Sequence, residues 1–260
     1  MGRVPCPRGF LAALRFLTIA PIDRGAVSPE ELSAGLPYFP VVGLLLGLAR
    51  AALDALLGLV LPPFPASALV VAAMVLLTGG LHLDGLADAC DGLFGGHTPE
   101  RRREIMRDTA RGAYATAGIV LVLLVKWSAL ASLGGPVRPW AIVAAPVLGR
   151  WAQVLALTAF PYARAEGLGV AFKGGATAGR AVAAAFVAFG AAGLLLRAPG
   201  LWLAGVVTLA AWLLARWASA RLGGGLTGDV YGALSEVTEA LALTVAVAMA
   251  GTALVQVMVW

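Results

Sequence analysis

The chain has 260 residues, of which 60% are hydrophobic and 13% are charged, and its mean hydropathy is +0.88. Soluble domains are about 45–50% apolar and about 25% charged, so this composition excludes an ordinary water-soluble domain. It also excludes a disordered chain, because glycine and proline are scattered rather than gathered in low-complexity tracts. The net charge of +5 comes from basic residues beside apolar runs, which favours membrane orientation over nucleic-acid binding. We therefore expect an integral membrane protein embedded in a lipid bilayer, with no nucleic-acid partner.

The first 37 residues contain one short apolar stretch, from 9 to 22. Arg15 interrupts this stretch and no cleavage site follows, which disfavours a signal peptide. We predict that the stretch lies on the membrane surface or packs on the bundle, within a cytoplasmic or interfacial segment over 1–37. The two cysteines, Cys6 and Cys90, form neither a disulfide pattern nor a zinc-binding spacing.

Seven further stretches approach the ~20 apolar residues that a transmembrane helix needs. No stretch alternates with the period of two that a strand would show. We predict an all-α, polytopic membrane helix bundle with about seven transmembrane helices, forming a single domain over 1–260. The stretches lie at about 38–61, 66–83, 113–133, 139–160, 181–196, 201–219 and 237–260.

Lysine and arginine are distributed unevenly between the two sides of this topology. Of the 19, fourteen fall on the side that contains the N-terminus, two fall opposite, and three fall inside spans. The positive-inside rule then places the N-terminus in the cytoplasm and Trp260 outside. This predicts a multi-pass protein of the cell (inner) membrane, with cytoplasmic segments at 84–112 and 216–236 that carry the active site.

A cluster of aspartates follows the second span. Asp84, Asp88 and Asp91 fall within about 60° of each other on one helical face. Like charges so close favour a bound cation, and all-oxygen ligands favour Mg²⁺ or Mn²⁺. The alternative is a solvated polar helix end. His82 points away from the aspartates if the helix is regular, so it is either a hydrogen-bonded structural residue or the neighbour of a bend at Gly79–Gly80.

A second acidic set begins the last span. Asp229, Glu236 and Glu239 follow a glycine run and lie at the same predicted membrane depth as the first set. Two acidic faces at one depth suggest a shared polar cavity. Glycines beside carboxylates also allow backbone N–H groups to approach a phosphate, although such a run suits a turn equally well.

Basic residues lie near these acids. Thr98 and Pro99 are typical of a helix start, and we predict a short helix over 98–112. In this segment Arg107, Asp108 and Arg111 form a basic face with one acid, which suits a phosphate ester as well as positive-inside orientation.

Several charges fall inside the predicted spans. Lys126 and Arg150 are costly in lipid, so they should face the bundle interior and meet an acid or a substrate phosphate. Arg50 and Asp54 are four residues apart, and we expect them to neutralise each other.

The stretch Leu81–Gly96, continuing through Arg101–Arg111, resembles the signature of the cobalamin synthase family, the adenosylcobinamide-GDP ribazoletransferases. Further stretches support this resemblance in order along almost the whole chain. They are Phe16–Thr18 with Pro21, Tyr38–Pro40 with Gly43, Lys126–Trp127, Gly149–Arg150, Gly167–Gly169, and Gly225–Asp229 with Gly232, Glu236 and Glu239.

The resemblance implies the last assembly step of the cobalamin nucleotide loop. Adenosylcobinamide-GDP and α-ribazole, or its 5′-phosphate, give adenosylcobalamin, or its 5′-phosphate, and GMP, with Mg²⁺ as cofactor. Metal held by aspartates and nearby cations would neutralise the charge that grows on the phosphate oxygens. A homo-oligomer is possible, and the sequence contains no motif for the corrinoid contacts.

Specific roles follow as hypotheses. Asp84, Asp88 and Asp91 hold the metal, and Asp229 or Glu236 completes the site or accepts the hydroxyl proton. Asp108 is a second candidate base. The phosphates would be held by Arg107, Arg111 and Lys126.

Two alternatives stay open. CDP-alcohol phosphatidyltransferases also use spaced aspartates at a membrane face, but this chain has Ala87–Asp88 where they have Ala-Arg. A cation-coupled transporter would string its charges across the bilayer and show internal repeats, whereas the acids here collect on one side.

Overall fold

The computed structural model describes residues 6–22, 25–108 and 110–251. Arg3, Arg24 and Trp260, which contribute to the predicted orientation, lie outside these ranges, as does the end of the predicted 237–260 span. The regular elements of the described chain are all helices, and one isolated bridge joins Tyr162 and Leu226. Its helices are α1 (Cys6–Leu17), α2 (Pro29–Ala34), a 3-10 turn (Leu36–Tyr38), α3 (Phe39–Leu57), α4 (Pro63–Leu76), α5 (Leu81–Gly95), α6 (Pro99–Ile105), α7 (Ala113–Ser132), α8 (Val137–Ala159), α9 (Leu168–Gly174), α10 (Ala178–Arg221) and α11 (Gly228–Ala250).

Five of the described helical segments are long and apolar enough to cross a membrane. They are Leu36–Leu57, Ala113–Ser132, Val137–Ala159, Ala178–Arg221 and Gly228–Ala250, and the bent pair α4 and α5 makes a possible sixth. This confirms the predicted polytopic helix bundle. The count of about seven and the cytoplasmic N-terminus stay predictions.

Helix α10 consists of two arms that meet at Arg197. The backbone there is not helical, with φ 54° and ψ −139°, and Pro199 follows. Gly200 lies so close to the carbonyl of Ala192 that a Cβ would collide with it. Eight residues of straight helix span about 12 Å, so this approach requires the arms 178–196 and 198–221 to fold back on each other. The two arms correspond to the predicted spans 181–196 and 201–219.

A bend separates α4 from the helix that carries the first acidic set. Gly79 and Gly80 have φ values of 60° and 71°, a region that favours glycine. The axes of α4 and α5 differ by 85° across this break. Of the two explanations considered for His82, the bend is therefore present. The predicted 66–83 span ends at Leu76, and α5 begins a new direction at Leu81.

Helix α8 lies at the centre of the bundle, with α3 and α11 packed on it. A Cβ on Gly43 would lie 2.5 Å from the Pro146 carbonyl oxygen, and one on Gly47 would lie 2.7 Å from the Val143 Cα. Small residues spaced four apart allow this close backbone approach, as in other membrane helix pairs. Helix α1 packs on the same core through Ala13 and Leu17, which confirms the docked alternative for the N-terminal stretch.

Candidate functional site

The exposed end of α5 carries a carboxylate pair bridged by one arginine. Asp84 and Asp88 are one turn apart, and the guanidinium of Arg111 forms ion pairs with both. The Asp84 side chain is 63% exposed, and that of Asp88 is 15% exposed. The sequence prediction that these two acids share a face is confirmed. A cation lies between them, as like charges at this spacing require.

Asp91 has a different environment. It is buried, and its two oxygens accept hydrogen bonds from the backbone N–H groups of Gly112 (2.6 Å) and Ala115 (2.9 Å). These are orphan donors in the first turn of α7, which Asp91 therefore caps. A Cβ on Gly112 would lie 2.6 Å from an Asp91 oxygen, so the cap requires glycine at this position.

Asp229 lies across a helix contact from Asp84. The backbone of α11 at Asp229 and Gly232 packs on Gly85 of α5, where a Cβ would lie 2.9 Å from the Asp229 carbonyl oxygen. Arg164, from the loop after α8, donates a hydrogen bond of 2.7 Å to the Asp229 carboxylate. Asp84, Asp229 and Arg164 line a common cavity of about 260 Å³, which we call the inner cavity. Asp84 and Arg111 also line a neighbouring, more open cavity of about 600 Å³.

Glu236 and Glu239 belong to a separate site, deeper in the bundle. We define the buried charge cluster as these two acids with Arg50, Lys126 and Arg150. Lys126 donates to Glu236 (2.8 Å) and Glu239 (3.0 Å), and Arg150 donates to Glu239 (2.6 Å) and to the Ser235 hydroxyl (2.6 Å). Arg50 is 3.5 Å from Glu239.

The sequence prediction that Lys126 and Arg150 face the interior is confirmed. The predicted pairing of Arg50 with Asp54 is wrong, because Arg50 turns inward to Glu239. Asp54 instead accepts two hydrogen bonds from Arg138, of 2.8 and 2.6 Å. Four-residue spacing places Arg50 and Asp54 on one face of α3, but each of them forms its ion pair with a residue of a neighbouring helix.

Helix α6 contains no buried residue, although Met106 directly after it is buried. Thr98 accepts a hydrogen bond of 3.2 Å from the Arg101 N–H, which confirms the predicted helix start, but the helix ends at Ile105 and does not continue to 112 as predicted. Asp108 accepts a bond of 3.0 Å from the Ala110 N–H in the following turn, and Arg107 is exposed beside it. Neither side chain lines the inner cavity.

Several residues of the inner cavity were not singled out from the sequence. Arg164 was counted only among the basic residues that orient the protein. Gln153, Tyr162 and Tyr231 were not considered as site residues. Burial raises the pKa of the Tyr162 phenol, and the nearby Arg164 opposes this shift. The sequence did single out the neighbouring stretch Gly167–Gly169. The structure explains its glycines, because Gly167 has φ 108° and Gly169 lies directly against the Tyr162 ring.

No group of three or more His, Cys, Asp and Glu side chains within the described ranges is arranged to hold a metal ion. The roles predicted for Asp84, Asp88, Asp91 and Asp229 as ligands stay predictions. The same holds for the predicted catalytic roles of the remaining acids and bases.

The fold and site define a class: a polytopic membrane protein with a carboxylate and arginine site at one end of its bundle and a charge cluster inside it. The family model of cobalamin-5-phosphate synthase matches residues 9–247, and the chain belongs to this family.

Three relatives illustrate the similarity, and each is named adenosylcobinamide-GDP ribazoletransferase. The protein of Geotalea daltonii is 41% identical over 94% of this chain and 98% of its own length. Those of Desulforamulus reducens and Stutzerimonas stutzeri are 40% and 44% identical, over 87% and 90% of this chain and 91% and 95% of their own lengths. No solved structure matches the chain.

Proposed function

We propose that the protein transfers the adenosylcobinamide phosphate group of adenosylcobinamide-GDP to α-ribazole, or to its 5′-phosphate, and releases GMP. This is the final step of nucleotide-loop assembly in cobalamin synthesis. The observation that carries the proposal is similarity over nearly the whole chain to relatives named for this activity. The site is consistent with it, because carboxylates and arginines meet beside two adjoining cavities.

The reaction exchanges one phosphorus–oxygen bond for another. A ribose hydroxyl oxygen attacks the phosphorus that bears the adenosylcobinamide group, the bond to the GMP oxygen breaks, and the hydroxyl proton must leave. We assign Asp229 as the proton acceptor, because it lines the inner cavity. Neither Glu236 nor Asp108 lines this cavity, so both are less suited to this role.

Arginines would hold the phosphates. Arg111 and Arg164 lie beside Asp84 and Asp229, and each can donate to a phosphate oxygen if its carboxylate partner releases it. Arg107 is exposed on the same segment as Arg111 and could reach the outer phosphate. Lys126 is 1% exposed and bonded to two glutamates, so we assign it to the buried charge cluster rather than to substrate.

The chemistry of two of these carboxylates suits Mg²⁺. Asp84 and Asp88 offer only oxygen ligands, and they already hold a cation, the Arg111 guanidinium, between them. We propose these two as protein ligands, with substrate phosphate oxygens completing the coordination, keep Asp229 as the proton acceptor and assign Asp91 to capping α7. When bound, Mg²⁺ would polarise the phosphate oxygens and neutralise the charge that develops on them.

The basic residues indicate which side of the membrane the site faces. Arg101, Arg102 and Arg103 lie on α6, the helix that follows the one carrying the carboxylate pair, and clusters of this kind are retained on the cytoplasmic side. We therefore place the site on the cytoplasmic face of the cell (inner) membrane.

The test uses the purified protein in detergent with adenosylcobinamide-GDP, α-ribazole and Mg²⁺. We expect GMP release only when all three are present, and we expect Asp84→Asn, Asp88→Asn and Asp229→Asn to lower kcat by about 10²–10⁴-fold. The matched control is Glu104→Gln, an exposed acid on α6 whose loss should leave turnover unchanged. GMP release without α-ribazole, or no release by the wild type, would contradict the function. Near-normal turnover of folded Asp88→Asn would contradict the metal assignment.

A further inference from the structure

The inner cavity runs from the exposed site into the bundle. At its outer end are Asp84, which is largely exposed, and Asp229. At its inner end are Phe39, His82 and Gln153, which are 1%, 1% and 4% exposed. A molecule that fills the cavity would therefore place one end beside the carboxylates and the other among buried side chains.

Aromatic rings form two walls of this cavity. Phe16, Phe39 and Phe172, the phenylalanine trio, have ring centroids 4.8 to 6.1 Å apart. Tyr162 and Tyr231, the tyrosine pair, are stacked with centroids 6.3 Å apart and planes 19° from parallel. All five line the cavity. Aromatic faces on several sides favour a flat aromatic ligand.

Polar atoms of the cavity lining lack partners. Both ring nitrogens of His82, the Oε1 atom of Gln153 and the Tyr231 hydroxyl are buried, and none has a hydrogen-bond partner among the described residues. A buried polar atom without a partner costs about 1–3 kcal/mol. Three such residues around one cavity are consistent with a bound molecule that supplies a few hydrogen bonds within an otherwise apolar space.

The size and charge of the cavity select the ligand. At about 260 Å³ it is far too small for a corrin macrocycle, but it suits a nucleoside. Guanine carries N–H donors along one edge and is typically read by a carboxylate. The only described acids that line this cavity, Asp84 and Asp229, lie at its outer end. A methylated benzimidazole has an apolar ring and few polar atoms, which matches the inner end better.

We propose that the inner cavity is the acceptor site, which takes a benzimidazole nucleoside with its ring between the phenylalanine trio and the tyrosine pair. The sugar hydroxyls then lie at the outer end, where Asp229 can accept the proton of the attacking hydroxyl. This assignment rests on the proposed function, because that function supplies the nucleoside. The guanosine part of the donor would bind elsewhere.

The test measures binding of α-ribazole to the purified protein by calorimetry, with no second substrate, alongside the KM of each substrate. Tyr231→Phe removes only a hydroxyl, and Gln153→Leu removes the inner amide at similar volume. We expect each to weaken α-ribazole binding by about 3- to 10-fold, the worth of one hydrogen bond, with the KM for adenosylcobinamide-GDP changed less than about 2-fold. Tyr114→Phe is the matched control, since Tyr114 is exposed on α7 outside the cavity. Thermal unfolding of each variant separates loss of fold from loss of binding.

The outcomes distinguish this assignment from the function on which it rests. Wild-type turnover together with unchanged α-ribazole binding in both folded variants would overturn the acceptor site and leave the function standing. A raised KM for adenosylcobinamide-GDP in the same variants, or weaker binding of GMP to them, would overturn the acceptor site in favour of a guanosine site. A wild-type protein that neither binds α-ribazole nor releases GMP would overturn the proposed function itself.

Discussion

Glu239 is the acidic centre of the buried charge cluster, and its removal should be costly. It accepts hydrogen bonds from Lys126, Arg150 and Arg50 at 3.0, 2.6 and 3.5 Å, and it is 1% exposed. Together with Glu236 it provides two carboxylates for three cations, so the cluster has a formal charge of +1. Glu239→Gln raises this charge to +2. Removing one partner of a buried ion pair costs about 3–5 kcal/mol. At about 2–4 °C per kcal/mol for a chain of this size, Tm should fall by about 6–20 °C.

The assay is thermal unfolding of the purified protein in one detergent, followed by tryptophan fluorescence. Glu104→Gln is the control, because its ion pair with Arg101 is exposed and solvent screens it; its Tm should stay near that of the wild type. The double substitution Glu239→Gln with Lys126→Met restores a formal charge of +1 and should recover part of the loss. If Glu239→Gln unfolds at the same temperature as Glu104→Gln, the cluster does not stabilise the bundle and the reasoning fails.

Two further predictions concern helix ends and helix contacts. Asp91→Ala should cost about 1–2 kcal/mol of stability, because α7 loses its cap, while the Mg²⁺ concentration for half-maximal turnover stays constant; a raised Mg²⁺ requirement at unchanged Tm would instead make Asp91 a metal ligand. Gly200→Ala should lower Tm, because the added Cβ meets the Ala192 carbonyl, whereas Gly205→Ala points into open space and should stabilise α10 by up to about 1 kcal/mol. Equal Tm values for these two variants would contradict the folded-back arms of α10.

Local periodicity predicted part of the site. Asp84 and Asp88 share a face because both lie in one regular helix, and helical spacing alone determines that relation. Thr98 and Pro99 likewise identified the start of α6, since capping depends on neighbouring residues. The same periodicity placed Asp91 beside the other two aspartates, but its oxygens bond to the first turn of α7, more than twenty residues later in the chain.

The sequence alone did not predict the contacts between helices that are distant along the chain. Arg50 and Asp54 each bond to a residue far away in the chain, Glu239 and Arg138 respectively, rather than to each other. Arg164 could not be told from the other basic loop residues until the loop after α8 was seen to lie over α11. The inner cavity has no sequence motif, because its walls come from helices and loops spread from Phe16 to Gly232.

The buried charge cluster also constrains how the protein is made. Arg50, Lys126 and Arg150 belong to α3, α7 and α8, and both of their acidic partners belong to α11. Each cation entering the bilayer on its own helix costs about 2.5–3.5 kcal/mol at the membrane centre, with no counter-charge from the other two. During synthesis from the N-terminus, these helices therefore insert as unneutralised intermediates. Insertion of α11 supplies the carboxylates that pair with these cations, so the last described helix completes the assembly of the bundle.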